Sequence, residues 1–309
     1  MNAKSTGVGK ACVAPAPSPV ITDCCKPRQS AHRPNVKMVE SPRILVLGSG
    51  DVASAVAHLL FVAGYPVFMQ DSAQPSATRR KMAFTDAMFD GFAILEGVSA
   101  RRADSLSDLQ TLLAAGSLIP LTALPLPLVL TAVSPQMLVD ARMKKHQQPD
   151  DLIQLAPLTI GLGPNFVAGE NVHMAVETER GENLGRVITH GATQPLRGEP
   201  NAIEGHARDR YVYAPLDGIF HTGLQIGARV ARGQEIARIG AASIFAPIDG
   251  ALRGLTRDGV PVALHSKVIE IDPRVKNPQI SGIAERPSRI AQGVLQAIHA
   301  WQQNHPDCA

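Results

Sequence analysis

The sequence has few aromatic residues and little net charge. Aromatic residues make up 4% of its 309 residues, and the formal net charge is +3 at pH 7. Proteins that bind nucleic acid usually carry a basic groove or a set of stacking aromatic side chains. The longest basic run here is Arg79-Arg80-Lys81. We therefore expect no nucleic-acid partner.

Cysteines are also scarce. The four cysteines stand at positions 12, 24, 25 and 308, outside the segments with a folded pattern. This placement favours a reducing compartment or indifference to redox, and we predict a cytoplasmic protein. The pair Cys24-Cys25 either binds a metal or is an incidental pair in a tail. Because no zinc-type spacing or histidine pair accompanies it, we predict no metal site.

No apolar run is long enough to cross a membrane. Residues 118–133 are strongly apolar, but three prolines interrupt them and they fall short of the ~20 residues that a spanning helix needs. We expect them to be buried core or loop, with no membrane partner. Residues 1–41 are rich in Pro, Ala and Ser, lack periodicity and contain no apolar segment of signal-peptide length, which predicts a disordered extension.

A glycine motif opens the folded region and predicts a Rossmann-like α/β domain over residues 42–150. Four apolar residues precede Gly48-Ser49-Gly50-Asp51-Val52-Ala53, and a helical pattern follows. Gly48 would make the tight turn, Gly50 would let a phosphate approach the backbone, and Ala53 would let the helix pack closely on the strand. We expect the helix to begin near Asp51, with a diphosphate against its amino end.

Further candidate ligand-binding residues follow this motif. A second strand, residues 66–70, ends in Asp71, close to the ~20-residue spacing of a ribose-binding carboxylate. Arg79 and Arg80 either clamp a phosphate or carboxylate or lie on a solvated helix face. Asp140, Arg142 and Asn165 stand at the ends of two later strands, where open α/β sheets collect ligand-contacting groups.

The segment 151–205 is expected to be β-rich and to complete the core. Within it, residues 172–177 alternate with period two, which predicts Val172, Met174 and Val176 on a core face. His173 and Glu177 would then share the opposite face. They could orient each other or hold a metal, or they could belong to a solvated strand face.

Residues 206–275 contain a repeat. Ala214-Pro215-Leu216-Asp217-Gly218 returns as residues 246–250, and the same offset of 32 relates Gly227 to Gly259 and Ile239 to Ile271 without a gap. Two copies too small to bury a core alone are expected to interlock about a pseudo-two-fold axis. The repeated sequence motifs resemble those of the barrel-sandwich hybrid, or hammerhead, of biotinyl and lipoyl carrier domains. In those carriers the modified lysine lies at the hairpin that joins the two halves. The corresponding hairpin here, residues 236–245, contains no lysine, so no covalent biotin or lipoate is expected. After the repeat, residues 276–309 are expected to form a helix and a tail.

Several short phrases follow one another along the chain: residues 48–53, 79–84, 139–143, 161–166, 177–181, 184–188 and the Ala-Pro-x-Asp-Gly repeat. Through these phrases the chain resembles, over residues 42–300, the YqeB family, accessory proteins of the selenium-dependent molybdenum hydroxylase system. The family pattern reads Arg-Gly-His-Asn-Leu-Gly-Arg where this chain has Glu182 in place of the histidine.

The resemblance implies a maturation factor for molybdenum hydroxylases of the xanthine dehydrogenase type, with a nucleotide-binding domain akin to XdhC-like factors. In this hypothesis the α/β domain binds NAD(P), another nucleotide or a molybdopterin, and the hammerhead docks the client enzyme. The alternative is a free-standing NAD(P)-dependent oxidoreductase. That alternative needs an acid or base beside the nicotinamide, and neither His58 nor His173 stands in a suitable segment. Catalytic residues are therefore not assigned.

Overall fold

The computed structural model describes residues 41–144, 147–196 and 200–306. All four cysteines and residues 1–40 of the predicted extension lie outside the described residues, so the expectations made for them stay predictions.

The first part of the chain forms a large mixed sheet with helices on both faces. The strands are β1 Ile44–Leu47, β2 Val67–Gln70, β3 Phe92–Leu95, β4 Val98–Ala103, β5 Ile119–Thr122, β6 Met137–Asp140, β7 Leu158–Leu162, β8 Val167–Ala168, β9 Met174–Val176, β10 Val187–Ile188 and β11 Gly191–Ala192. The helices are α1 Asp51–Val62, α2 Ala87–Asp90, α3 Leu106–Ala115, α4 Leu126–Val133 and, near the carboxyl end, α5 Glu285–Asn304.

Nine of these strands share one sheet, in the order β10-β9-β7-β6-β1-β2-β5-β4-β3, while β8 and β11 pair separately. The seven inner strands are parallel, and the two edge strands β10 and β3 are antiparallel to their neighbours. From β1 the chain first adds β2, β3, β4 and β5 on one side, with β5 between β2 and β4, and then returns to add β6, β7 and β9 on the other side. The strand order therefore reverses between β1 and β6.

The central strand explains how both faces are covered. All four residues of β1 are fully buried: Ile44 and Val46 join a core with α1 and α5, whereas Leu45 and Leu47 join a core with α3 and α4. A strand buried on both faces gives a continuous apolar run, which is what the sequence has. Helix α5 comes back from the carboxyl end to pack beside α1.

One expectation for this part is confirmed and one needs correction. Residues 118–133 join the buried core, through β5 and through a regular helix, α4, that starts between Pro125 and Pro127, where proline removes no helical hydrogen bond. In the 172–177 segment, Met174 and Val176 join the α1/α5 core, but Val172 joins Ala175 in the α3/α4 core. The segment is covered on both faces, so the single core face expected from alternation was wrong.

The repeat forms two four-stranded sheets. Its strands are β12 Tyr211–Tyr213, β13 Gly218–His221, β14 Arg229–Val230, β15 Glu235–Ile239, β16 Ala242–Phe245, β17 Gly250–Leu255, β18 Val260–Val262 and β19 Lys267–Asp272. One sheet has the order β12-β19-β17-β14 and the other β16-β15-β13-β18. The offset of 32 maps each strand of the first sheet onto one of the second, and both sheets contain strands of both copies. The interlocking that the repeat predicts is therefore confirmed.

The large nine-stranded sheet and the two four-stranded sheets of the repeat belong to one compact body. Within it, the amide of Leu255 donates to the carbonyl of Thr78, and Arg257 forms a bidentate ion pair with Asp90. Residues 211–272, called the repeat unit below, thus dock on the segment that follows β2.

Of the helices in the described part of the chain, none is both long and apolar enough to cross a membrane.

Candidate functional site

The glycine turn between β1 and α1 is shaped as the motif predicts. Gly48 has φ +97, and a Cβ there would lie 3.2 Å from the Cα of Arg142. Gly50 has an ordinary extended conformation, and a Cβ there would meet nothing within 4 Å. Ala53 is fully buried between helix and sheet. Space is therefore open over Gly50 but closed at Gly48.

The amino end of α1 carries unused donors. Helix α1 has no side-chain cap, and within the described residues the amides of Gly50, Asp51 and Val52 have no hydrogen-bond partner. Such amides, together with the helix dipole, favour an anion. The turn therefore has the chemistry to receive a phosphate.

Asp71 lies beside this turn. Its Oδ2 accepts a hydrogen bond of 2.6 Å from the Ser49 hydroxyl, and its Oδ1 accepts one of 2.7 Å from the Ser72 amide. A carboxylate has about four acceptor positions, so two remain for a ligand hydroxyl pair. A ribose contact stays a prediction.

The other candidates at the carboxyl edge serve local structure. Arg142 forks onto Asp140 at 3.0 Å and 2.5 Å, and also contacts Asp150 at 2.7 Å. Asp140 is buried and accepts the Arg142 amide as well, which fixes the turn after β6. Asn165 has φ +70 and forms the turn after β7. Ligand binding by these residues stays a prediction, and it would compete with the existing pairs.

The predicted arginine pair is likewise engaged. Arg80 donates from Nη1 to both carboxylate oxygens of Asp86 at 2.9 Å, and from Nε to the carbonyl of Leu255 at 2.9 Å. Arg79 donates to Asp51 at 2.8 Å and forks onto Glu270 through Nε and Nη2, both at 2.9 Å. Arg79 therefore joins the first residue of α1 to the repeat unit.

Glu270 is the centre of a charged group that the sequence did not indicate. We call Glu270 with Arg79, Arg210, Arg253 and Lys267 the Glu270 cluster. The Glu270 side chain is fully buried, and it also accepts from Arg210 Nη1 at 2.7 Å and from Lys267 Nζ at 3.0 Å. Arg253 approaches to 3.5 Å. One carboxylate thus faces four cations.

The repeat unit positions Glu270 and Arg253 through its strands. On β19, Ile269 and Ile271 join the repeat unit's own core, and alternation along the strand places Glu270 on the opposite face, where Arg79 reaches it. Arg253 lies at a register shift between β17 and β19, and such bulges redirect side chains. Tyr211 completes the surroundings: its ring stacks under the guanidinium of Arg210, and its hydroxyl accepts from that arginine at 2.7 Å.

The charges perturb one another strongly. Burial alone would raise the pKa of Glu270, but Lys267 and Arg79 outweigh burial and hold the pKa well below its usual value. The same competition, with Arg79 as the main partner, lowers the pKa of Asp51. Burial lowers the pKa of Lys267 although Glu270 opposes it, and burial together with Arg79 lowers the pKa of Arg253. Both carboxylates are therefore ionised at neutral pH.

His173 and Glu177 do not come together, and Glu177 does not lie on a solvated strand face either. His173 Nδ1 accepts from the Thr159 amide at 3.1 Å, at the amino end of β7, and burial lowers its pKa. Glu177 is buried and accepts from the amides of Thr178, Glu179 and Gln194. Each side chain has its own structural partners. No group of three potential metal ligands occurs in the ranges that the structure describes.

Two cavities lie away from the glycine turn. One, of about 640 Å³, is at the amino edge of the sheet between the end of α4, residues 153–157 and His173. The other, of about 480 Å³, lies between residues 182–186 and α5. Glu182, which replaces the histidine of the family pattern, lines this second cavity with Arg186 and Arg289.

The comparison with known proteins includes a curated relative. No family model matches the chain. Over 255 residues, 82% of this chain, the sequence is 38% identical to the uncharacterized protein YqeB of Escherichia coli strain K12. That similarity is consistent with the YqeB family. The alignment takes in 47% of the relative, so the chain spans about half the length of the curated protein it matches.

Solved structures show only a distant likeness. The product-bound ectoine utilization protein EutE (DoeB) from Ruegeria pomeroyi matches 75% of this chain and 52% of its own length, with 12% identity and a TM-score of 0.20. A succinylglutamate desuccinylase/aspartoacylase from Rhodobacter sphaeroides matches 75% and 85%, with 13% identity and a TM-score of 0.24. Scores this low do not indicate a shared overall fold.

Proposed function

We propose that the chain binds a nucleotide or a molybdopterin-type cofactor and acts as a maturation factor for molybdenum hydroxylases of the xanthine dehydrogenase type. The observation that carries the binding half of this proposal is the open glycine turn at the reversal of strand order between β1 and β6. In open α/β sheets, ligands bind at the carboxyl ends of strands at such a point.

In this proposal the large sheet with its helices is a Rossmann-like layer, and the repeat unit is a barrel-sandwich hybrid. The parallel order around β1 and the two interlocked sheets support these assignments. The hairpin between β15 and β16 turns at Gly240 and carries no lysine, so the repeat unit serves as a scaffold rather than as a swinging arm.

The ligand's phosphates would meet the free amides of Gly50, Asp51 and Val52, and Asp71 would accept its hydroxyl groups. These groups need no rearrangement, because the amides are unpaired within the described residues and Asp71 keeps acceptor positions. By contrast, Arg80 and Arg142 would have to exchange existing ion pairs before they could bind a ligand.

Binding is favoured over turnover because, in the part of the chain that the structure describes, neither histidine considered for proton transfer lies at this edge. His58 lies along α1 and contacts the Glu96 carbonyl at 3.4 Å, and His173 lies at the opposite, amino edge of the sheet. Tyr211 brings a hydroxyl next to the Glu270 cluster, but burial and the charge of Glu270 raise its pKa. A raised pKa makes this hydroxyl a poorer proton-transfer group at neutral pH. These observations count against the oxidoreductase.

The repeat unit would dock the client enzyme. In its sheet β16-β15-β13-β18, Ile219 is 42% exposed and Phe245 is 52% exposed, and Leu264, just after β18, is 45% exposed. Exposed apolar side chains of this size are suited to a protein interface.

Calorimetry on the native protein tests the binding half of the proposal, with NAD, NADP, ATP and a molybdopterin as ligands. Mass spectrometry of gently purified protein would identify a retained small molecule directly. Absence of binding to all four, with no retained ligand, would contradict the proposal.

The maturation half predicts the phenotype of a gene deletion. We expect a molybdenum hydroxylase made at normal abundance but poorly active, with its pterin present and its sulfur or selenium ligand missing. The readouts are hydroxylase activity per molecule and the metal-site composition of the purified client. Normal specific activity in the deletion strain, together with NAD-dependent oxidation of a small substrate by the purified protein, would favour the oxidoreductase.

A further inference from the structure

The Glu270 cluster carries more positive charge than its carboxylates neutralise. Beside its four cations, Arg286 lies close enough to act on Asp51, yet the guanidinium of Arg286 donates only to the neutral Thr178 carbonyl. Asp272 is already forked by Arg274, so these five cations are balanced only by Glu270 and Asp51. Within the described residues the site has a surplus of about three positive charges. Buried charges are normally paired, so this surplus favours the binding of an anion.

Hydrogen bonding gives the same result independently. The two oxygens of Glu270 already accept four hydrogen bonds, which fills a carboxylate's capacity. Arg210 and Arg253 are only 2% and 6% exposed, and the Nε of each is buried without an acceptor. Buried donors of this kind cost free energy unless an acceptor is supplied.

We infer that the Glu270 cluster and the amino end of α1 together bind a phosphate-class anion, a diphosphate in preference to a single phosphate. Arg79 links the two parts, since it contacts both Asp51, the first residue of α1, and Glu270. The anion would lie between the free amides of α1 and the cations, with Lys267, whose side chain is 30% exposed, on the solvent side. The repeat unit would then be half of the ligand site.

Charge favours a diphosphate because its negative charge matches the surplus more fully than a single phosphate does. The lowered pKa values of Lys267 and Arg253 agree, because a nearby anion would favour their protonated forms. This inference rests on the proposed function, since both use the amino end of α1.

Isothermal titration of the full chain with inorganic pyrophosphate, inorganic phosphate and NAD tests the inference. We expect pyrophosphate to bind more tightly than phosphate, and Lys267→Met to weaken pyrophosphate binding at least tenfold. Lys267→Arg should restore most of the affinity. Arg238→Met is the matched control, because it also removes one positive charge from the repeat unit but from an exposed hairpin strand. Circular dichroism verifies that each variant is folded.

The outcomes separate the two proposals. Pyrophosphate binding that depends on Lys267, without binding of any nucleotide or pterin, would support the anion site and contradict the proposed function. Nucleotide or pterin binding that is unchanged in Lys267→Met would do the reverse. If pyrophosphate does not bind, or if Arg238→Met weakens it as much as Lys267→Met does, the anion site is wrong.

Discussion

Replacing Glu270 with Gln should destabilise the protein strongly. The side chain is fully buried and is the common partner of Arg79, Arg210 and Lys267. The amide keeps the shape but removes the charge, and it turns two N–H donors toward cations. Removing one partner of a buried ion pair costs about 3–5 kcal/mol, and here three partners lose it at once. We therefore expect a loss of at least ~3 kcal/mol in the free energy of unfolding.

Urea unfolding, followed by circular dichroism and by tryptophan emission, measures this loss. Trp301 is the chain's one tryptophan and is buried in α5, so its emission reports on the large sheet's core. If the repeat unit undocks first, the two probes will give different transitions. At ~2–4 °C per kcal/mol for a chain of this size, the melting temperature should fall by about 6 °C or more.

Two further variants serve as a control and as a test of partial recovery. Asp258→Asn also removes a carboxylate from the repeat unit, but an exposed one that pairs with His221, and we expect no measurable change. Lys267→Met combined with Glu270→Gln should recover part of the loss, because one of the unpaired cations is gone. If Glu270→Gln unfolds within ~1 kcal/mol of the unaltered protein, the cluster does not hold the two β structures together.

Three other outcomes are expected. Gly50→Val should abolish nucleotide binding without unfolding the protein, whereas Gly48→Ala should destabilise it by ~1–2 kcal/mol because of its positive φ; calorimetry and thermal melting separate the two. Intact-mass measurement of protein from cells should show no biotin or lipoyl group on Lys267, which lies on a strand away from the hairpin. The depressed pKa values of Glu270 and Asp51 give stability that is fully present above about pH 4.5 and is lost as pH falls through the folded-state values; urea midpoints that drop already between pH 7 and 5 would implicate other groups.

The parts of the fold that local pattern determines could be predicted from the sequence. The strand, glycine turn and helix of residues 44–62 and the second strand ending at Asp71 were predictable because their apolar runs and turn residues are contiguous. The burial of both faces of β9 was not, because it depends on α5, which returns from a hundred residues away.

The candidate site was predictable only on one side. Gly48, Gly50 and Asp71 belong to a local motif, but what Arg79 contacts depends on where the repeat unit docks. Without that information, ligand binding and a solvated helix face were equally open. The docked structure gives a third answer, an ion pair that joins two parts of the chain.

The two copies of the repeat differ in charge at the positions that form the other side of the site. By the offset of 32, Glu235 and Arg238 of β15 are equivalent to Lys267 and Glu270 of β19. The charges at these two positions are exchanged between the copies. In the first copy the pair lies exposed on the hairpin strand, whereas in the second copy Glu270 is fully buried. A pseudo-two-fold unit has two equivalent faces, and only one of them can dock against the large sheet. Charged residues ordinarily lie at the surface, so the sequence pattern would place Arg238 and Glu270 alike in solvent. Glu270 is buried because the second copy's face docks and Arg79 pairs with it, which only the docked structure shows.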